Sequence, residues 1–399
     1  MMKPKPFSLS LIAFCLGFAV TNEQPCTAQS TTVANSPYSQ WTQGPSTDPD
    51  FFPIAVWLQS PRNAEKYKAA GINTYVGLWK GPTEEQLAEL KKAGMKVVCA
   101  QNEIGLNSPN NDIIIAWMHG DEPDNAQAKK GGGYGPPISP AKIKADYAEL
   151  KKNDTTRPIF LNLGQGVAYD QYIGRGIRTN HPEDYREYIQ GSDIVSFDIY
   201  PAVHDKPDVK GKLEFVPKGV SRLREWSDDK KIVWNCIEAS RIDNLKVKPT
   251  PEQVRSEVWM SIIAGSRGVI YFVHQFQPKF SEASLLEDDE LLNGITRINQ
   301  RILKLAPVLN SPNVSGKAKL SVEEGKVQWM CKKHEGSLYL FMANQTETPI
   351  KTMVQFDNEI NADALVLDHF DGSERPLNGS QLSVSLPKYG IALLQIRLK

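Results

Sequence analysis

Between about residues 51 and 305, short apolar runs alternate with stretches of helical periodicity. Residues 52–58, 74–79, 96–101, 113–119, 158–163, 194–200, 232–238 and 268–274 read as strands, being too short and too continuously apolar for amphipathic helices. Helices are expected between them. One spans 63–70 and stops at Gly71. A second opens on the capping-box pattern Thr83-Glu84-Glu85-Gln86 and stops at Gly94. Others cover 141–152 behind Ser139-Pro140, 251–264, and 291–305. Eight strands with intervening helices match a (β/α)8 TIM barrel in count, order and length. A doubly wound sheet would carry a glycine-rich nucleotide loop after its first strand, where this chain has Gln59-Ser60-Pro61. Gly131-Gly132-Gly133-Tyr134-Gly135 follows no strand directly and reads as a mobile loop over the barrel mouth.

Past residue 310 the period changes. Runs at 318–321, 327–331, 337–343, 350–356, 364–369, 381–386 and 391–396 are separated by turn pairs such as Glu324-Gly325, Asp371-Gly372 and Asn378-Gly379. This predicts a small C-terminal antiparallel β-sandwich. The expected plan is a signal peptide at 1–28, a flexible leader at 29–49, a barrel at 50–308 and the sandwich at 309–399. The signal peptide is read from Lys3 and Lys5, the apolar run 7–20 and the small residues at 26–28. A secreted or periplasmic protein follows, with no integral membrane segment in the mature chain. A lipoprotein anchor is less well supported, because Phe14 and Pro25 precede the two N-terminal cysteines.

The 399 residues balance 46 basic against 46 acidic side chains, which speaks against a nucleic-acid partner or an anionic membrane surface. Cys99, Cys236 and Cys331 remain after cleavage, an odd number without metal-ligand spacing, so buried thiols are expected and no metal site.

Chemistry concentrates where strands end. The run 113–119 stops at Asp121-Glu122-Pro123, and the run 232–238 ends on Glu238. Carboxylates at the ends of two barrel strands suit glycosidic cleavage, one protonating the leaving oxygen while the other attacks or activates water. Either one alone reads as well as a helix cap or a solvated loop residue. Aromatic residues at strand ends, Trp57, Trp79, Tyr200 and Tyr271, suit the flat C–H faces of sugars, with barrel core as the alternative. Asn162, Gln165, Asp198, His274 and Gln275 are candidate ligands for sugar hydroxyls. His119 fits either the site or a hydrogen-bonded place in the barrel.

These motifs resemble those of the clan A glycoside hydrolases, in which the acid/base follows strand four and the nucleophile ends strand seven. Asp121-Glu122-Pro123 resembles the clan's Asn-Glu-Pro, and the run 234–238 resembles its nucleophile strand. The resemblance implies a retaining β-glycosidase acting on a β-linked oligo- or polysaccharide without a cofactor. It makes Glu122 the acid/base, Glu238 the nucleophile and Tyr200 a hydrogen-bond donor to Glu238. Asp121 departs from the clan's asparagine. An Asp-Glu pair resembles instead the enzymes in which aspartate orients the substrate's 2-acetamido group, so a substrate-assisted β-N-acetylhexosaminidase stays open. A non-catalytic carbohydrate-binding barrel is the remaining alternative.

Overall fold

The computed structural model describes residues 36–323, 325–357, 364–377 and 379–397. The segment read as a signal peptide lies outside them. A parallel sheet runs β1 (Ile54–Trp57), β2 (Thr74–Val76), β3 (Lys96–Cys99), β4 (Ile114–Met118), β5 (Ile159–Leu163), β6 (Ile194–Phe197), β7 and β8 (Val269–Phe272). Strand β7 comes in two pieces, Ile232–Val233 paired to β6 and Asn235–Glu238 paired to β8. Since β8 also pairs with β1, the sheet closes into a barrel of eight strands. At the break in β7, Trp234 fills the barrel interior against Phe160, ring centroids 5.8 Å apart. Its indole lies where a side chain on Gly268 would sit: a Cβ there would come within 2.7 Å of the ring.

The helices α1 (Ala64–Ala69), α2 (Glu84–Lys92), α3 (Glu103–Asn107), α4 (Pro140–Asn153), α5 (Tyr185–Tyr188), α6 (Phe215–Trp226) and α7 (Pro251–Ala264) occupy the crossovers, and α8 (Asp289–Asn310) leads from the last barrel strand to the sandwich. Capping boxes open α2 at Thr83 and α7 at Thr250. Helix α6 escapes the hydrophobic pattern because Pro217 and Gly219 read as breakers. Pro217 sits in the first turn, where a missing N–H costs little. Gly219 is there for contact: a Cβ would lie 2.3 Å from the Phe197 ring.

Residues 36–49 correct the expectation of a flexible leader. Tyr38 and Trp41 are buried with the barrel-interior side chains, and the Tyr38 hydroxyl accepts from the Trp234 indole at 2.9 Å while donating to the Arg267 carbonyl at 3.1 Å. Burying two aromatics at that end of the barrel outweighs the loop-like composition around them. The glycine-rich run forms a small exposed hairpin, bridged at Ala128 and Tyr134, with positive φ at Gly131, Gly132 and Gly133.

The C-terminal strands are β9 (Ala318–Leu320), β10 (Val327–His334), β11 (Ser337–Asn344), β12 (Ile350–Phe356), β13 (Leu365–Asp368), β14 (Glu374–Pro376), β15 (Gln381–Leu386) and β16 (Ile391–Arg397). They form a three-stranded sheet, β9-β12-β15, and a five-stranded sheet, β10-β11-β16-β13-β14, all antiparallel. Helices α7 and α8 pack on the second sheet, with Trp259 stacked on Phe341 at 6.2 Å. Helix α7, covered by barrel and sheet, is buried from Ser256 to Ala264 without interruption. Among the described residues no helix is long and apolar enough to cross a membrane.

Candidate active site

In a closed parallel barrel all strands finish at one rim, so the residues just past them meet there. A cavity of about 840 Å³ opens at that rim. Trp57, Trp79, Asp121, Glu122, Gln165, Asp198, Tyr200 and His274, all read from the sequence as site candidates, line it.

One amide organises the acids. Asn162 on β5 donates from Nδ2 to Asp121 Oδ1 at 2.9 Å and to Asp198 Oδ1 at 3.0 Å. Its own Oδ1 is held by Ser196 Oγ at 2.6 Å and faces Cys236 Sγ at 3.6 Å, which fixes the amide's orientation. Because a single nitrogen reaches both carboxylates, the Asp121 and Asp198 oxygens lie less than about 6 Å apart. Asn162 itself stands behind the cavity lining.

The electrostatics separate the acids. Burial, followed by the charges of Asp198 and Asp121, pushes the Glu122 carboxyl well above the usual range. Burial and Asp198 raise Asp121 to about 7, although its side chain is open to the cavity. Burial raises Asp198 too, but Asn162 and the Tyr200 hydroxyl, 2.8 Å from Oδ2, donate to it and favour the anion. Glu122 also holds a strained backbone, φ +42°, a conformation that costs a non-glycine residue about 1 kcal/mol or more. Its N–H reaches the Asn162 carbonyl at 3.2 Å. Asp124, which the sequence reading passed over, ties this loop down: it is wholly buried and accepts from Gly164 N and Tyr185 Oη, each at 2.8 Å.

Four candidates lie elsewhere. Glu238 is wholly buried and outside the cavity lining. Its oxygens accept the backbone N–H groups of Ala202 at 2.6 Å and Val203 at 2.9 Å, so it holds the loop after β6. The Tyr200 hydroxyl expected on Glu238 is on Asp198 instead, since the loop turns Tyr200 back over its own strand. Glu238 also neighbours Glu257 of α7, a second buried carboxyl; burial first of all raises Glu238 to about 7, and burial followed by the Glu238 charge raises Glu257 well above its usual value. Tyr271, expected at the mouth, faces the other way and donates to Asn299 of α8 at 2.8 Å. Strand alternation puts Phe272 in the cavity in its place. Gln275 donates to the Lys279 carbonyl at 3.3 Å in an exposed turn. His119 is buried on the Gly191 carbonyl at 2.8 Å and does not line the cavity.

Tyr172, Phe276, Phe280 and Glu282 line the cavity without having been singled out; they come from loops between elements, where no periodicity marks them. Trp79 stands 70% exposed at the rim, as an aromatic platform would, while Trp57 is buried in the wall.

No protein-family model matches the chain, and no curated protein does. Solved structures do resemble it. They include a candidate α-galactosidase from Bacteroides fragilis (TM-score 0.53, 10% identity, 88% of this chain and 80% of that one) and α-galactosidase I from Mortierella vinacea (0.51, 10%, 88% and 97%). An α-amylase from Geobacillus thermoleovorans, solved with acarbose, is a third (0.50, 10%, 88% and 99%). At these identities the likeness is one of fold: a (β/α)8 barrel followed by a β-sandwich.

Proposed function

We propose that the protein is a glycoside hydrolase that cleaves an oligo- or polysaccharide with retention of configuration. The observation that carries this reading is the cluster of Asp121, Glu122 and Asp198 at the rim of an aromatic-lined cavity, with Asp121 and Asp198 held by Asn162 and the Asp198 charge bearing on Glu122; retention follows from the clan A resemblance. Glu122, kept protonated by its surroundings, is the acid/base, as the sequence suggests. Asp198, steadied as an anion by two donors, is the nucleophile. Asp121 binds the sugar beside the reacting carbon. Glu238 is a positioning residue beneath the loop that carries Tyr200. Glu122 first protonates the leaving oxygen while Asp198 attacks the anomeric carbon; water, deprotonated by Glu122, then releases the sugar.

Asp198→Ala should lower turnover at least roughly 10³-fold, and azide should restore part of it as a glycosyl azide of inverted configuration. Rescue by azide in Glu238→Ala, with Asp198→Ala near normal, would return the nucleophile to Glu238. Paired α- and β-aryl glycosides test the β-linkage implied by the clan A resemblance, and a 2-acetamido sugar tests the substrate-assisted route through Asp121. Export, read from residues 1–28, is checked by the N-terminal sequence of the protein recovered outside the cytoplasm.

A further inference from the structure

A second cavity, of about 510 Å³, lies at the opposite end of the barrel, where residues preceding β1, β7 and β8 face the sandwich. Its charged lining is Arg224, Lys230, Lys231, Arg267 and Lys332 against Asp229. Arg224 is matched by Asp229 at 2.7 Å, and Lys230 by Asp228 at 3.3 Å. The other three hydrogen-bond only to backbone carbonyls among the described residues: Lys231 Nζ on Ser192 O at 2.5 Å, with the Asp193 charge nearby, Arg267 on Leu309 O at 3.0 Å and Lys332 Nζ on Ser311 O at 2.5 Å. Lys332 is 1% exposed. A cation that deep is costly unless an anion accompanies it, and here two further cations share its cavity. Each keeps N–H donors beyond those its carbonyl uses.

We propose that this cavity is an anion-binding site in which Arg267 and Lys332, with Lys231, hold a phosphate or sulfate group. Its volume falls in the range of small-molecule sites and exceeds a bare oxyanion, so the group fits either as the free ion or as an ester on a sugar. The site joins the barrel to β10 of the sandwich, and its ligand would bind the two together. Without the anion, burial and then the Arg267 charge pull the Lys332 ammonium down to about 7; an anion between them relieves both.

Calorimetric titration of the full chain with inorganic phosphate, sulfate and glucose 6-phosphate, at matched ionic strength against chloride and glucose, tests this directly. Saturable binding of at least one of the three is expected, and comparison of the ester with the ions identifies the form preferred. Lys332→Met should weaken it by roughly tenfold or more, the loss of a charged hydrogen-bond donor. Saturating ligand should raise Tm by roughly 3 °C in the wild type and by less in the variant, whereas general salting-out stabilises both equally. No saturable binding by the wild type to any of the three would overturn the site, and so would unchanged affinity in Lys332→Met. The wild-type titration decides even if that variant does not fold.

Discussion

Asn162 is a small residue with a large share of the site. It faces Asp121 and Asp198 with one nitrogen, and its bond lowers the pKa of each against the burial that raises them. Asn162→Ala should therefore move the acid limb of kcat/KM to higher pH, because an ionised Asp198 then forms only in more alkaline solution; pH profiles of the two proteins measure it. Glu122 belongs to the other limb. Its pKa is raised, so activity should fall as pH climbs past it. In Glu122→Gln that alkaline limb should vanish, with turnover down by about 10²–10⁴-fold on substrates with poor leaving groups and far less on activated aryl glycosides. Equal losses on both substrate types, with the limb intact, would make Glu122 structural. Asp121 and Glu122 were legible because they interrupt an apolar run. Asn162 reads from the sequence as a sugar ligand because the sequence shows only that an amide sits in β5, not that its two neighbours are acids just past β4 and β6.

Elements transmit these positions. Gly219 on α6 touches Phe197, which precedes Asp198, so Gly219→Ala should cost about 1–3 kcal/mol through overpacking, more than the roughly 1 kcal/mol that alanine returns to the helix. A lower Tm together with a lower kcat would show the strain reaching β6; an unchanged Tm would mean that α6 shifts to make room. Strand β7 and α7 carry the Glu238 and Glu257 pair. Both folded-state pKa values lie above the ordinary carboxylate range. The stability they contribute is complete below the unfolded pKa near 4.5 and is lost as pH rises through about 7. Glu257→Gln removes one proton site and supplies an amide donor for Glu238. Its Tm should match the wild type near pH 5 and exceed it by roughly 2 °C or more at pH 8. A gap that does not widen with pH would show that the two carboxyls are uncoupled.

Over the whole molecule, barrel and sandwich share one apolar core, which predicts that they unfold together. Tyr339, Phe341 and Leu393 of the sandwich belong to the same apolar cluster as the outer face of the barrel strands. Phe341→Ala should cost about 3–5 kcal/mol and lower a single calorimetric transition without splitting it. Two separated transitions would make the sandwich an independent domain. Helix α7 is buried from Ser256 to its end, and a chain ending before β9 would expose the side that now meets the sheet.

Much of this architecture was written locally. Strand runs such as 159–163 and helices such as Pro251–Ala264 follow from periodicity and caps, which depend on neighbours a few residues apart. So did the change from barrel to sandwich near residue 310, and the placing of Asp121, Glu122 and Asp198 at strand ends. The tertiary structure alone decided which carboxylates meet. Glu238 ends its strand as a nucleophile would, yet both its oxygens are taken by Ala202 and Val203 N–H groups some thirty-five residues away. Tyr38 and Trp41 sit in a polar stretch, and only barrel closure creates the interior that buries them. The Arg267 and Lys332 cavity likewise has no linear signature, because its cations come from two layers that close packing alone brings together.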